Sequence, residues 1–268
     1  LHNNRHSFPT RRSSDLVTGG LGNLGRAVVS ALQDGGHEAV IASRRTGVDL
    51  RTGAGLAECL RDADAAVHTA DSLRPWHWKT VTLGGTRTLA ETAAGLPAPP
   101  HLVYISIVGV DRNPYPYYRA KLAAEQVLAD APVPATVVRA TQFHSLAAVM
   151  AGMRLGPVAV GVRGLSIQPV DITWVGRRLA EIAVSSRPDG FTRARELAGP
   201  DRFEAAEITD LVAAHLGTSA PRRLEMPPLG ATLKAFAAGA VLPRDDAEIG
   251  GERFTEWLAR QGSRLPRR

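Results

Sequence analysis

Apolar positions along this chain fall into short continuous runs separated by segments of helical period. The runs Leu16–Thr18, Ala39–Ala42, Ala65–His68, Leu102–Ser106 and Ala135–Arg139, with a sixth at Gly164–Pro169, read as strands buried on both faces. Between them lie Gly25–Asp34, Gly55–Arg61, Trp78–Ala94 and Tyr117–Ala129. In the first of these, Ala27, Val28, Ala31 and Leu32 form one apolar stripe of an amphipathic helix. Buried strands alternating with helices imply an α/β architecture, a doubly wound parallel sheet built from right-handed crossovers. The pattern changes after about Arg139. Helices are expected at Phe143–Arg154, Trp174–Val184, Ala205–Leu216, Ala231–Ala240 and Glu252–Arg260, with strands at Arg195–Leu197 and Arg223–Met226. This predicts a core over residues 17–145 and a smaller C-terminal α/β lobe over 146–268, in one structural unit, with the lobe covering a substrate site.

Composition narrows the class. With 268 residues, 44% hydrophobic and 22% charged, the chain is globular rather than disordered, collagenous or coiled-coil. A single cysteine, Cys59, excludes a disulfide framework and a cysteine metal cage, and no His or carboxylate cluster has ligand spacing, so no metal is expected. The longest uncharged run, Thr92–Val110, contains Pro97, Pro99 and Pro100, unlike a membrane helix, and the opening residues lack the apolar centre of a signal peptide. A cytoplasmic monomer or homodimer acting on a small molecule is expected, without membrane or nucleic-acid partners. The net charge of +6 comes from 29 Arg and 3 Lys, scattered and without a groove-reading motif.

Residues 1–16 read differently from the rest. Ser7–Leu16 resembles a translated DNA sequencing adapter and has neither helical nor strand period. On that reading residues 1–16 are non-native, and only Leu16 and Val17 remain of the strand that should precede Thr18.

The stretch Thr18-Gly19-Gly20-Leu21-Gly22-Asn23-Leu24-Gly25 joins the first strand to the first helix. In a Rossmann-type unit, Gly19 permits a tight turn, Gly22 lets backbone approach a pyrophosphate, and Gly25 lets helix and strand pack closely. The helix N-terminus supplies free N–H groups to phosphate oxygens. An NAD site places an acid about 20 residues further on, at the end of the second strand. Here that strand ends in Ser43-Arg44-Arg45, and arginine suits a ribose 2′-phosphate, so NADP(H) is expected rather than NAD(H).

These pieces together resemble the atypical, NmrA-like branch of the short-chain dehydrogenase/reductase superfamily, over about Leu16–Val184. The resemblance implies adenine contacts from Asp49 and Leu50 at a third strand, and backbone beside the cofactor at Thr69-Ala70. It also implies a cofactor contact at Ala140 within Arg139-Ala140-Thr141. Tyr117-Tyr118-Arg119-Ala120-Lys121 contains Tyr-x-x-x-Lys, and the i, i+4 spacing sets Tyr117 and Lys121 on one helical face. The resemblance makes Tyr117 the proton donor or acceptor. Lys121 then lowers the phenol's pKa from its ordinary value near ~10 and also binds the nicotinamide ribose. Ser106 is the candidate third member, but the family serine usually falls one place later, at Ile107. Strand alternation would turn Ser106 away unless a bulge intervenes. The implied function is an NADP(H)-dependent oxidoreductase acting on a small carbonyl, alcohol or quinone-like substrate. Two alternatives stay open: a non-catalytic NADP(H) sensor, and an epimerase or dehydratase that retains its cofactor.

Overall fold

A computed structural model describes residues 14–72, 74–152, 154–155 and 158–262, with backbone alone at Arg154 and Leu155. Of the adapter-like segment, only Ser14–Leu16 falls inside the described residues. In chain order the first half contains β1 (Ser14–Thr18), α1 (Asn23–Asp34), β2 (Glu38–Ala42), α2 (Leu56–Arg61), β3 (Ala63–His68), α3 (Gly84–Ala94), β4 (His101–Ile107), α4 (Pro116–Asp130) and β5 (Ala135–Ala140). The second half contains α5 (His144–Ala151), β6 (Arg154–Leu155), β7 (Val158–Val162), β8 (Ser166–Ile167), α6 (Ile172–Val184), β9 (Phe191–Arg193) and β10 (Leu197–Ala198). It ends with β11 (Phe203–Glu204), α7 (Ala205–His215), β12 (Arg222–Met226), α8 (Gly230–Ala237), β13 (Glu248–Ile249) and α9 (Phe254–Ala259).

The central sheet runs β2-β1-β3-β4-β5-β10-β13, with β9 also beside β5, and every pairing in it is parallel. Its two faces are both dry. Val17, Val67, Val103 and Val138 pack under α1 and α6 with Val28, Leu32, Val175 and Leu179. Leu16, Ala66, Leu102 and Val137 pack on the other side with Leu56, Leu60, Leu89 and Leu128 from α2, α3 and α4. The sheet is therefore the expected doubly wound α/β type, because helices with a single apolar stripe can bury it only against a sheet face. Four second-half elements, α6, β9, β10 and β13, extend this core. Gly176 of α6 lies so close to α1 that a Cβ there would sit 2.7 Å from Ala27 Cβ. Of the remaining helices, α5, α7 and α9 form a third cluster, in which Ala147, Ile208, Val212 and Phe254 pack on Val110 and Tyr118 beyond the carboxyl edge of β4, with Phe236 of α8 against it.

Two expectations are corrected. The run Gly164–Pro169 does not join the central sheet; its strand β8 pairs antiparallel with β11 in a separate two-stranded sheet. A short apolar run signals burial without saying which neighbour it will pair with. The first strand also starts earlier than Leu16, because ladders to β2 and β3 begin at Ser14 (Ser14↔Glu38 and Ser14↔Ala63).

That extension buries Asp15 to 2% exposure in a core strand. Its Oδ2 makes no hydrogen bond; His37 Nδ1 lies 3.4 Å away, at ion-pair distance only. Burial raises the Asp15 pKa despite the opposing His37 charge. Asp15→Val is expected to stabilise the fold by ~1–3 kcal/mol, the scale of an uncompensated buried polar group. Because the folded state holds the Asp15 proton more readily than the unfolded chain, this group's contribution falls as pH rises through the carboxylate range. The gain from Asp15→Val should therefore be larger at neutral pH than near pH ~4. Denaturant midpoints at the two pH values test this, and equal midpoints for both proteins at neutral pH would contradict it.

Candidate active site

The glycine loop closes at the carboxyl ends of β1 and β3. Gly19 has φ +71°, and a Cβ there would meet Ala70 Cα and N at 2.7 Å, so glycine is required both by conformation and by the close approach of the β3 loop. A Cβ on Gly25 would fall 2.2 Å from Gly19 O, which pins the start of α1 against the turn. Gly22 caps α1 with φ −76° and ψ 172°, no side chain hydrogen-bonds to the N–H groups of the helix end, and the first turn carries no acid. Asn23, Leu24 and Gly25 form that first turn, and its N–H groups have no intrahelical acceptor. The loop thus fits a phosphate group: bare donors, a positive helix end and a cradle that larger residues would fill.

Thr69 and Ala70 lie beside this loop, with Thr69 Oγ1 donating to Thr18 O at 2.8 Å. The next residue, Asp71, organises the catalytic candidates. Its Oδ2 accepts from the Tyr117 hydroxyl at 2.6 Å and from Lys121 Nζ at 3.3 Å. Its Oδ1 accepts from Thr82 Oγ1 at 2.5 Å and from the Ser72 N–H at 2.7 Å. Lys121 is 2% exposed, donates to Ile105 O at 2.7 Å and lies 4.3 Å from the Tyr104 ring centroid. Tyr117 and Lys121 do share one face of α4, as i, i+4 spacing requires, and they meet through Asp71. Trp78 lies 5.4 Å from the Tyr117 ring and 5.8 Å from Tyr115, forming an aromatic wall.

The electrostatics differ from the expectation that Lys121 lowers the Tyr117 pKa. Burial raises it, and the Asp71 charge and hydrogen bond raise it further, so Tyr117 holds its proton. Burial alone would lower Lys121 and raise Asp71. Their mutual attraction, with the donors on Asp71, reverses both: Lys121 moves up and Asp71 down. The lysine charge is neutralised by Asp71 rather than left to act on the phenol. The motif carried no sign of this, because the acid lies in another loop. Its one sequence signal was an acid at the carboxyl end of a buried strand, where ligands bind in such sheets.

Ser106 is not brought to this group, and its candidacy as the third catalytic member is corrected. Its hydroxyl donates to Glu125 Oε1 at 2.6 Å under α4. Glu125 is fully buried and also accepts from Arg139 Nε at 2.9 Å and Nη2 at 2.8 Å. No bulge rotates the strand, since β4 and β5 stay in register from Leu102↔Ala135 to Ile107↔Ala140. Ala140 is buried at the end of β5, its carbonyl taken by the Val108 N–H at 3.0 Å. Among the other candidates, His68 bridges Thr18 and Thr86 inside the fold, at 2.6 and 3.0 Å, and burial lowers its pKa to about 3. His144 packs against Phe254 and Trp257. Gln142 at the carboxyl end of β5 is buried with both amide atoms free of hydrogen bonds.

At the adenosine end, Ser43 opens a short 3₁₀ turn, Arg44–Thr46, its carbonyl accepting from the Thr46 N–H at 2.9 Å and its N–H donating to Thr46 Oγ1 at 2.9 Å, and both arginines are exposed. Asp49 lies near them but in no sheet strand: it makes only an isolated bridge to Ala54, correcting the expected third strand there. Hydrogen bonds from Arg51 hold the Asp49 pKa down at about 2. Leu50 packs toward Gly85 and the α2–α3 core.

No family model matches the chain. An epimerase family protein, SDR39U1, from Bos taurus is 36% identical over 126 residues, spanning 41% of this chain and 40% of that protein, so the match covers well under half of the relative's length. A nucleoside-diphosphate-sugar epimerase from Staphylococcus aureus superposes with a TM-score of 0.72 at 15% identity, covering 92% of this chain and 99% of that one. The NADPH-dependent quinone oxidoreductase QOR2 from Escherichia coli, complexed with NADPH, gives 0.70 at 14%, covering 91% and 98%. The doubly wound Rossmann-type fold of this chain is the one these two proteins have. A Thermus thermophilus UDP-glucose 4-epimerase in complex with NAD also shares it, with a TM-score of 0.63, 19% identity and coverage of 92% and 96%. Among the described residues no helix is long and apolar enough to cross a membrane, and no cluster of His, Cys, Asp or Glu could hold a metal ion.

Proposed function

We propose that this protein is an NADP(H)-dependent oxidoreductase of the atypical, NmrA-like short-chain type, working on a small carbonyl, alcohol or quinone-like substrate. The observation that carries the reading is the convergence of two independent motifs. The Gly19–Gly25 loop and the Tyr117–Lys121 pair are 92 residues or more apart, yet both border the Thr69–Asp71 loop at the carboxyl edge of the sheet. Gly19, Gly22, Asn23, Leu24 and Gly25 would hold the pyrophosphate, Ser43, Arg44 and Arg45 the adenosine end with Asp49 and Leu50, and Thr69, Ala70, Ala140 and Lys121 the nicotinamide end. When bound, the dinucleotide supplies the hydride chemistry. Tyr117 holds or moves a proton at the substrate oxygen, Lys121 fixes the local charge, and Trp78 excludes water from one side.

A sugar-type epimerase or dehydratase with retained cofactor is the second reading, favoured by the epimerase relative and the epimerase structural neighbours. The site acts on a small molecule in either case, and a cytoplasmic monomer or homodimer is the matching assembly. The adapter origin of residues 7–16 is supported by the burial of Asp15, without a hydrogen bond to its Oδ2, beside Leu16 and Val17 in a core strand.

Cofactor choice is tested by dissociation constants for NADPH and NADH. One charge-assisted hydrogen bond from Arg44 or Arg45 to the 2′-phosphate is worth ~1.5–3 kcal/mol, so NADPH should bind at least ~10-fold tighter. Salt should narrow the gap, because both guanidiniums are exposed. Arg44→Ala combined with Arg45→Ala should remove it. Equal affinities in the unaltered protein would leave the arginines without a role.

A further inference from the structure

We propose that Asp71 is the proton terminus of the Tyr117–Lys121 pair, taking the phenol proton of Tyr117 as the phenol oxygen takes one from a ligand hydroxyl. The inference rests on the reading of Tyr117 as the proton-transfer group. It follows first from donor direction. Four donors converge on the Asp71 carboxylate: Tyr117 and Lys121 on Oδ2, Thr82 and the Ser72 N–H on Oδ1. A carboxylate offers about four acceptor sites and no donor. The Tyr117 hydrogen therefore points at Asp71, and the phenol oxygen's lone pairs face away from that carboxylate. That oxygen is set to receive a proton from a ligand hydroxyl rather than to give one to a carbonyl.

A phenol can accept that proton only if its own is removed. Lys121 cannot remove it, because an ammonium has donors only. Asp71 can, at 2.6 Å and held ionised by its surroundings. In the step, the ligand O–H bond breaks as a new Tyr117 O–H bond forms. The original Tyr117 O–H bond breaks as the Asp71 O–H bond forms. One negative charge passes from Asp71 to the ligand oxygen, and no electrons are gained or lost. The Asp71 side chain is 23% exposed, so the proton can continue to water, and a weakly basic terminus keeps it only in passing. The groups around this relay are Lys121, Tyr104, Tyr118, the buried neutral His68, and His77, whose Nδ1 lies 3.3 Å from Ser72 Oγ. Asp71 is the only carboxylate that contacts Tyr117 among the described residues. It acts through Tyr117, as a positioning residue.

The test begins without any ligand, by following tyrosinate absorbance with pH in the unaltered protein, in Asp71→Asn, and in Asp71→Asn combined with Tyr117→Phe. Removing the charge should bring one tyrosine's titration down by at least ~1 pH unit, and that component should vanish in the double variant. Asp71→Glu keeps a carboxylate and should titrate like the unaltered protein. The second arm is the pH–rate profile for alcohol oxidation with NADP⁺. The unaltered protein should show no alkaline limb between pH ~6 and ~9, whereas Asp71→Asn should be at least ~10-fold slower and rise with pH as the phenol ionises. Identical tyrosine titrations in Asp71→Asn and the unaltered protein, or identical pH–rate profiles, would overturn the proposal. Failure to bind any dinucleotide would instead overturn the oxidoreductase reading, and the ligand-free titration would still decide whether Asp71 holds the Tyr117 proton.

Discussion

Gly22→Asp is expected to abolish measurable dinucleotide binding while the protein stays folded. The backbone at Gly22, φ −76° and ψ 172°, is one that any residue adopts, and aspartate is among the preferred residues at a helix N-cap. The new Cβ would stand 3.2 Å from Gly19 O, which requires a shift of only a few tenths of an ångström. Helix α1 should therefore form as before, with the new carboxylate accepting from its first-turn N–H groups. Those are the donors that a pyrophosphate would use, and the added negative charge repels it. A loss of ~100-fold or more, equal to ~2.7 kcal/mol, is expected in a calorimetric titration with NADPH. Unliganded thermal unfolding should remain cooperative and near its original midpoint. Unchanged NADPH affinity would take the loop out of the binding site.

Tyr117→Phe should lower turnover by the ~10²–10⁴ typical of general acid–base groups, with NADPH affinity changed by less than ~3-fold. The ring remains to pack 5.4 Å from Trp78, and Asp71 keeps Thr82, Ser72 and Lys121 as donors, so the structural disturbance is small. Lys121→Ala is a harsher change. It removes one partner of a buried ion pair and should destabilise the fold by ~3–5 kcal/mol, so the loss of activity there would combine stability and chemistry. A screen of alcohols and carbonyl compounds for cofactor absorbance change provides the substrate for the comparison. Full turnover in Tyr117→Phe would move the proton transfer to another group.

The elements that position the site were legible because their signals are local. The stripe at Ala27, Val28, Ala31 and Leu32 marks α1, and glycines at 19 and 25 are demanded by a turn and a helix start a few residues apart. The Tyr117–Lys121 face follows from helical period alone. Strand alternation likewise warned that Ser106 would miss the cleft. That its partner is Glu125, with Arg139 on the same carboxylate, was decided by how α4 crosses β4 and β5. The short strands β9, β10 and β13 have two or three residues each and carry no period, so the places of β9 and β10 beside β5, and of β13 beside β10, come from packing and pairing in the assembled sheet. Asp71 shows the same limit at the site itself. It lies 46 residues from Tyr117 and 50 from Lys121 in the chain, and its meaning depends on its own loop, the π-helical turn Trp78–Leu83 that carries Thr82, and α4 converging on one carboxylate. Sequence determined which residues could carry a phosphate loop and a phenol–ammonium pair, because backbone conformation and helical spacing are short-range. Only the tertiary structure decided that an acid neutralises the ammonium and holds the phenol's proton, because charges act on one another through space, across separations that the chain order does not contain.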